Sequence, residues 1–391
     1  MTKIKDVSSQ IRGVSYQPND LHDSLNENSV ILLRANNIND DSLNFDDVVY
    51  VDKSKVSKIQ YISAGDILVC ASSGSKNLVG KATFVKEKIN ATFGAFCKVV
   101  RPKNVYPSYL GHYFTSPIYR ETISSLSAGA NINNIKNEHI DSLEIKIPNL
   151  EIQKKIAENL DKVSELISIR RKQLDKLDEL VKSRFVEMFG DIYSNPQKYP
   201  ICALSDFILF LTSGSRGWAK YCVDEGNEWF ITIKNVKDCR ISLDNMQQIN
   251  APNNIEAKRT RVEEGDLLIS ITADLGRTGV VTNEIAEHGA YINQHLTCIR
   301  LDRSQLVPIY VAYFMESESG KLQFDAKNQI GVKAGLNFDS IRSLKLLIPP
   351  LSLQERFVDF VDQTDKSKLV VNQSLEKLET LKKALMQKYF E

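Results

Sequence analysis

One duplication constrains this chain more than any other feature. The segment IPNLEIQKKIAENL… (Ile147–Phe189) aligns without a gap onto IPPLSLQERFVDFV… (Ile348–Phe390), at a constant offset of 201 residues. The copies share Ile147/Ile348, Pro148/Pro349, Leu150/Leu351, Gln153/Gln354, Leu174/Leu375, Leu177/Leu378 and Phe189/Phe390. Weaker echoes lie upstream at nearly the same spacing: AGDILV (Ala64–Val69) against EGDLLI (Glu264–Ile269), and Tyr113-Phe114 against Tyr313-Phe314. Self-similarity over such a period means that one structural unit is built twice. The reading is a globular unit (1–146), a long helix (147–191), a second globular unit (192–347) and a second long helix (348–391).

The helices carry their own signal. Steps of four and three from Ile156 reach Leu160, Val163, Ile167, Arg170, Leu174, Leu177 and Val181, so seven of eight positions are apolar. That is the narrow seam of a coiled coil. The matching second seam is Phe357, Val361, Thr364, Lys368, Val371, Leu375, Leu378 and Lys382, poorer at five of eight, with Leu369, Val370, Leu381 and Leu385 near enough to shift the stripe. Neither helix contains Gly or Pro after its Ile-Pro opening, and about 40 residues at 1.5 Å each span roughly 60 Å. Pro148 and Pro349 can sit only at or before the first turn. Two seams in one chain most economically pair with each other, as an antiparallel coiled coil that joins and separates the globular units. Arg170 then either sets the register or extends outward to water.

Both globular units read as mixed α/β. Val30–Ile38, Ala64–Ser72 and Ala95–Pro102 are β-rich and bounded by turn residues, and a helical run follows; the second unit repeats that order. The expected fold is α+β: two similar mixed α/β domains joined by two long helices, with a pseudo-two-fold internal repeat. Lys+Arg 50 against Asp+Glu 49 leaves a net charge of +1, with +2 on residues 1–146 and −1 on 192–347. Any nucleic-acid-facing charge must therefore be local. The six cysteines include no CxxC pair and the five histidines no HxxxH, so neither a zinc site nor a disulfide framework is indicated. The opening MTKIKDVSSQ has no apolar core, and apolar stretches such as FILFL (Phe207–Leu211) are far too short for a membrane span. A cytoplasmic chain without membrane contact is expected.

Catalytic motifs are near-misses. GSKNLVGKA (Gly74–Ala82) has five residues before its GK where a phosphate loop has four, and Ala82 stands where a metal-binding hydroxyl is needed. GRTG (Gly276–Gly279) is too short to carry weight, and Glu256-Ala257-Lys258 and Asp325-Ala326-Lys327 lack the upstream Asp of a nuclease centre. No Asn-Pro-Pro-Tyr motif and no GxGxxG after a strand occurs. The chain reads as a recogniser rather than an enzyme.

The paired Ile-Pro-x-Leu-x-x-Gln openings, each leading into a heptad helix after a globular unit, resemble the DNA-specificity subunit of type I restriction-modification systems. The resemblance spans essentially the whole chain. It implies that the globular units are target-recognition domains, each reading one half of a bipartite sequence in double-stranded DNA, and that the helices are a spacer. It also implies two methyltransferase subunits docked on those helices and two restriction/translocase subunits in the larger complex. No cofactor is expected in this chain; S-adenosylmethionine belongs to the methyltransferase partner. The competing reading is a coiled-coil scaffold with two protein-binding heads.

The resemblance does not pick out base-reading residues, so chemistry selects them: Lys and Arg near loops for phosphates, Arg, Lys, Asn and Gln for base edges. The candidates are Arg34, Asn36, Asn37, Ser75, Lys76, Asn77 and Lys81 in the first unit, and Arg216, Lys220, Lys234, Asn235, Arg277 and Lys333 in the second. Trp218 and Tyr221 could stack near DNA, although anchoring an apolar core suits their side chains better.

Overall fold

Two four-stranded sheets form each globular head, and the two heads follow the same chain path. The computed structural model describes residues 1–39, 42–75, 77–128, 134–214, 216–328 and 335–391. In the first head one sheet runs Ser8–Arg12, Cys97–Pro102, Ile67–Cys70, Ala82–Phe84, all antiparallel. The other runs Leu21–His22, Val49–Asp52, Ser29–Leu33, Ala91–Phe93, and only its last pairing is parallel. The second head repeats both orders: Ile208–Ser213, Leu296–Leu301, Leu267–Ser270, Thr278–Val280 in one sheet, then Cys222–Val223, Gln247–Ile249, Glu228–Ile231, Ala290–Ile292 in the other, again with one parallel pairing at the end. A two-stranded clasp closes each head, Thr2–Lys3 with Glu144–Ile145 and Ile201–Ala203 with Lys345–Leu347, just before each Ile-Pro opening.

The upstream echoes have a structural cause. Gly65 and Gly265 adopt φ of +90° and +82°, a conformation glycine enters without the steric penalty of a β-carbon. The turn they make buries the next residue, Asp66 or Asp266. Arg101 grips Asp66 through Nε and Nη2 at 2.7 and 2.8 Å, and Arg300 grips Asp266 at 2.9 Å through the same two nitrogens. Each aspartate also accepts a backbone N–H at 2.8 Å, from Ser63 or Glu263. A buried carboxylate needs that many donors, because an unpaired one would be too costly to bury.

The long helices are uninterrupted, Leu150–Phe189 and Leu351–Phe390. The chain divides into two compact units: residues 1–173 with 371–391, and residues 174–370. Each unit thus contains its head and a length of both helices, running antiparallel. In the first unit, Arg171 Nη2 meets Glu379 at 2.8 Å and Asn159 donates to the Tyr389 hydroxyl at 3.4 Å. In the second unit, Phe185 packs on Phe357 with ring centres 5.2 Å apart, and Lys368 pairs with Asp178. Ile156, Leu160, Val163, Ile167, Val181, Phe357, Val361, Thr364 and Val371 are buried, on the predicted stripes. Lys368 keeps its place on the seam because Asp178 and its own helix's Asp365 both lie within ion-pair distance. Leu369, Val370 and Leu381 stay exposed, so the stripe does not shift toward them. Arg170 is half-buried on the seam, its Nη1 donating to Gln173 of its own helix at 2.8 Å while its Nε is buried without a partner.

The repeated letters fasten helix to head. Gln153 accepts the Tyr106 N–H at 2.8 Å and donates to the Pro148 carbonyl at 2.7 Å. Gln354, fully buried, accepts the Val307 N–H at 2.9 Å and donates to the carbonyls of Pro349 and Gln305 at 2.9 and 3.1 Å. Tyr106 and Val307 immediately precede the helices Pro107–Phe114 and Pro308–Glu316. Tyr109 and Tyr310 add a hydroxyl donated to the carbonyls of Lys146 and Leu347 at 2.7 and 2.8 Å. The far ends cross over. Phe390 packs on Tyr109 at 5.3 Å between ring centres, and Phe189 on Tyr310 at 4.8 Å. Each head therefore receives the start of one helix and the end of the other.

Candidate nucleic-acid interface

In the first head the two sheets approach where Val14 bridges Gly94, and a cleft of about 800 Å³ opens beside that bridge. The single-turn helix Ala35–Asn37, at the end of strand Ser29–Leu33, brings Arg34 and Asn36 to its wall, facing the loop from Ser72 to Gly74. Both side chains reach one carboxylate: Arg34 Nη2 lies 2.9 Å and Asn36 Nδ2 2.8 Å from Asp47 Oδ2. Ser75 is exposed just beyond, its N–H donated to Ser73 Oγ at 3.2 Å. Asn77 and Lys81 belong to a separate cleft of about 510 Å³, shared with Arg120. Arg120 holds that loop by donating to the carbonyls of Val79 and Asn77 at 3.0 and 3.1 Å.

In the second head, Arg216, Lys220 and Lys234 are exposed. Lys220 Nζ sits 4.9 Å from the centre of the Tyr221 ring. Arg277 is half-buried and paired with Asp274, three residues before it. Lys76 and Lys333 lie outside the described residues.

Two candidates have a different job. Asn37 is buried; its Oδ1 accepts the Arg34 N–H at 2.8 Å, and its amide donates to the carbonyls of Asn44 and Asp47 at 3.0 and 2.8 Å. Asn235 is buried in the matching turn, accepting the Thr232 N–H at 3.0 Å and donating to Ser242 O at 3.3 Å. Their amides are committed to the turn, and reading a base edge would require breaking it. Trp218, 2% exposed, packs with Phe230 and Tyr291 in the core of the second head, the apolar anchoring its side chain favours.

Sequence reasoning missed three residues of these clefts. Tyr16 and Phe96 line the first, Phe96 as the most exposed aromatic side chain among the described residues at 70%, and Arg120 lines the other. Arg120 lies in the helix Pro117–Ala128, 41 and 43 positions from the carbonyls it holds, and so leaves no local sequence signal; nor does Phe96, because an exposed phenylalanine is indistinguishable in writing from a buried one.

Where the central helix meets the helix Pro107–Phe114, Asp161 accepts Ser108 Oγ at 2.9 Å and sits 3.0 Å from His112 Nε2. Burial by itself raises this carboxyl, but the His112 and Ser108 hydrogen bonds and nearby Lys86 outweigh it and hold it below its ordinary value. Among the described residues no His, Cys, Asp and Glu cluster could hold a metal ion, and no helix is long and apolar enough to cross a membrane.

A head built twice with the same strand orders, each copy fastened to paired helices and the first opening a polar-walled cleft between its sheets, defines a protein with two like lobes on one chain. A family model for the type I restriction modification DNA specificity domain matches residues 2–179 and 226–380. The StySPI specificity subunit of Salmonella potsdam is 30% identical over 406 residues, covering 99% of this chain and 87% of that one. The EcoKI specificity subunit of Escherichia coli (strain K12) is 29% identical over 408 residues with the same coverage. Among solved structures, a chain from work on complex assembly and conformational transition of the type I R-M system superposes with a TM-score of 0.57 at 17% identity, covering 99% of this chain and 96% of that one. The S subunit from M. genitalium does so at 0.51 and 16%, covering 100% and 95%. This chain belongs to the type I restriction-modification DNA specificity family.

Proposed function

We propose that this chain supplies sequence specificity to a type I restriction-modification complex and leaves the chemistry to its partners, each head reading one half of a split target in double-stranded DNA. The observation that carries the reading is the duplication at atomic detail: the same strand orders, the same buried glutamine and the same closing clasp occur twice in one covalent chain. Two linked heads bind two half-sites with high effective concentration, so a target with both halves is favoured over either alone.

The heads carry different chemistry at matching places, Arg34 and Asn36 against Thr232 and Lys234, which suits two different half-sites. The helices set the gap and receive two methyltransferase subunits. Exposed Leu166, Ile169 and Leu381 in one unit, and Leu180, Leu369 and Val370 in the other, offer apolar area beside the seam for that docking. Those partners bring S-adenosylmethionine, two restriction/translocase subunits complete the nuclease, and the assembly works in the cytoplasm.

Methylome sequencing of cells carrying the chain and its methyltransferase partner is expected to return a split motif. On that motif, alanine at Arg216, Lys220 and Lys234 together should lower the slope of log affinity against log salt by about 2 to 3, at ~0.9 for each phosphate left without its cation. A continuous motif, or an unchanged slope with unchanged affinity, would refute the reading.

A further inference from the structure

Phe96 occupies an unusual position for a large apolar side chain. It sits in a tight turn closed by the Cys97 N–H on the Gly94 carbonyl at 2.8 Å, and its own carbonyl accepts the N–H groups of Ala71 and Ser72 at 2.8 and 3.0 Å. The second head has the same turn. Leu296 N–H donates to Asn293 O at 3.1 Å, and His295 O accepts the Ile271 N–H at 3.0 Å. At that matching place the side chain is a half-buried His295, its Nδ1 sharing a 2.6 Å hydrogen bond with the Thr272 hydroxyl. The backbone is therefore fixed from both sides in each head while the side chain is free to differ, which is the requirement for a contact that selects rather than supports.

The surroundings of Phe96 suit a base. Arg34 is the one charged side chain among the described residues lining its cleft, and the Asp47 carboxylate beside the cleft holds it and Asn36 in place. Asn36 stands on the same wall, with Tyr16 beside the bridge. A phenyl ring cannot exchange hydrogen bonds with a base edge. Its one sequence-dependent partner in the major groove is the methyl group that thymine alone carries.

We propose that Phe96 is a specificity-determining residue of the first head and reads an A·T pair through the 5-methyl group of its thymine. This rests on the reading of the heads as half-site readers and names one contact within it. The ring is held out in water in the free protein and gives up that exposure only against the target, so its apolar surface contributes to binding and not to folding.

The test uses the full chain assembled with its methyltransferase partner and duplexes of the methylome-derived target. Each thymine in turn is replaced by deoxyuridine, which lacks only the methyl group. One such replacement, within one half-site, is expected to weaken binding about fourfold, the worth of a single buried methyl group. Phe96→Ala should bind the unmodified target with the same loss and be indifferent to that uracil, whereas Phe96→Leu should retain part of the response. Thermal melting of both variants should match the parent, since the side chain is exposed. If the assembled parent binds no split-site duplex, the half-site reading itself fails. If it binds and every uracil is silent, if the half-sites contain no A·T pair, or if Phe96→Ala keeps both affinity and uracil response, this contact alone is overturned.

Discussion

Replacing Gln354 with leucine, a side chain of similar volume, tests whether the repeated motif exists to fasten helix to head. The change removes the acceptor for the Val307 N–H and the donor to the carbonyls of Pro349 and Gln305, at a site from which water is excluded. An orphaned buried donor costs about 1–3 kcal/mol, and the two carbonyls add less because each keeps a second lone pair, so the expected loss is about 2–4 kcal/mol. In a unit of roughly 200 residues that lowers the thermal midpoint by about 6–12 °C. Gln153 makes one hydrogen bond fewer and is 4% exposed. Gln153→Leu should therefore cost less, about 1–3 kcal/mol on the same scale. Calorimetric or circular-dichroism melting of the full-length variants decides the matter. A midpoint for Gln354→Leu that equals the parent's, or lies above that of Gln153→Leu, refutes the reasoning.

Two further outcomes follow from the same structure. Asp161 is held below its ordinary carboxyl value in the folded protein, so its contribution to stability is present above about pH 4, where the unfolded group is ionised, and is lost as pH falls through the depressed folded value. The urea midpoint of the parent should fall more steeply than that of Asp161→Asn as acid is added, and parallel curves would contradict the His112 and Ser108 hydrogen bonds. Thiol chemistry gives an independent check on the cores. Burial pushes Cys70 up to about 11 and holds Cys97, Cys239 and Cys298 well above the ordinary thiol value, while Cys202 and Cys222 are only half-buried. At pH 8 a thiol reagent followed by mass spectrometry should label Cys202 and Cys222 first, and early labelling of Cys97 or Cys298 would show that these cores are open.

The period of the duplication was plain in the sequence, and so was the seam, because a hydrophobic repeat of three and four leaves a written trace wherever helices pair. What the repeated letters do was not written. Gln153 and Gln354 stand out only as matches, and their hydrogen bonds to Tyr106 and Val307 join residues 47 positions apart. The AGD and EGD echoes hide their arginine partners in the same way, 35 and 34 positions downstream. Site prediction suffered from a related blindness. A polar residue after a strand can serve solvent, DNA or its own turn, and Asn37 and Asn235 serve the turn. Conversely, Phe96 leaves no mark in the sequence because apolar letters default to the interior, a rule that its 70% exposure breaks.

The closing clasps have an evolutionary corollary. Thr2–Lys3 beside Glu144–Ile145, and Ile201–Ala203 beside Lys345–Leu347, mean that the polypeptide enters and leaves each lobe through a single doorway. A lobe with one doorway can be cut out of its gene and exchanged for a foreign one as a cassette, without retailoring the stalk on which it is mounted. New target preferences can then arise by gene shuffling in one step, with the remainder of the chain left as it was.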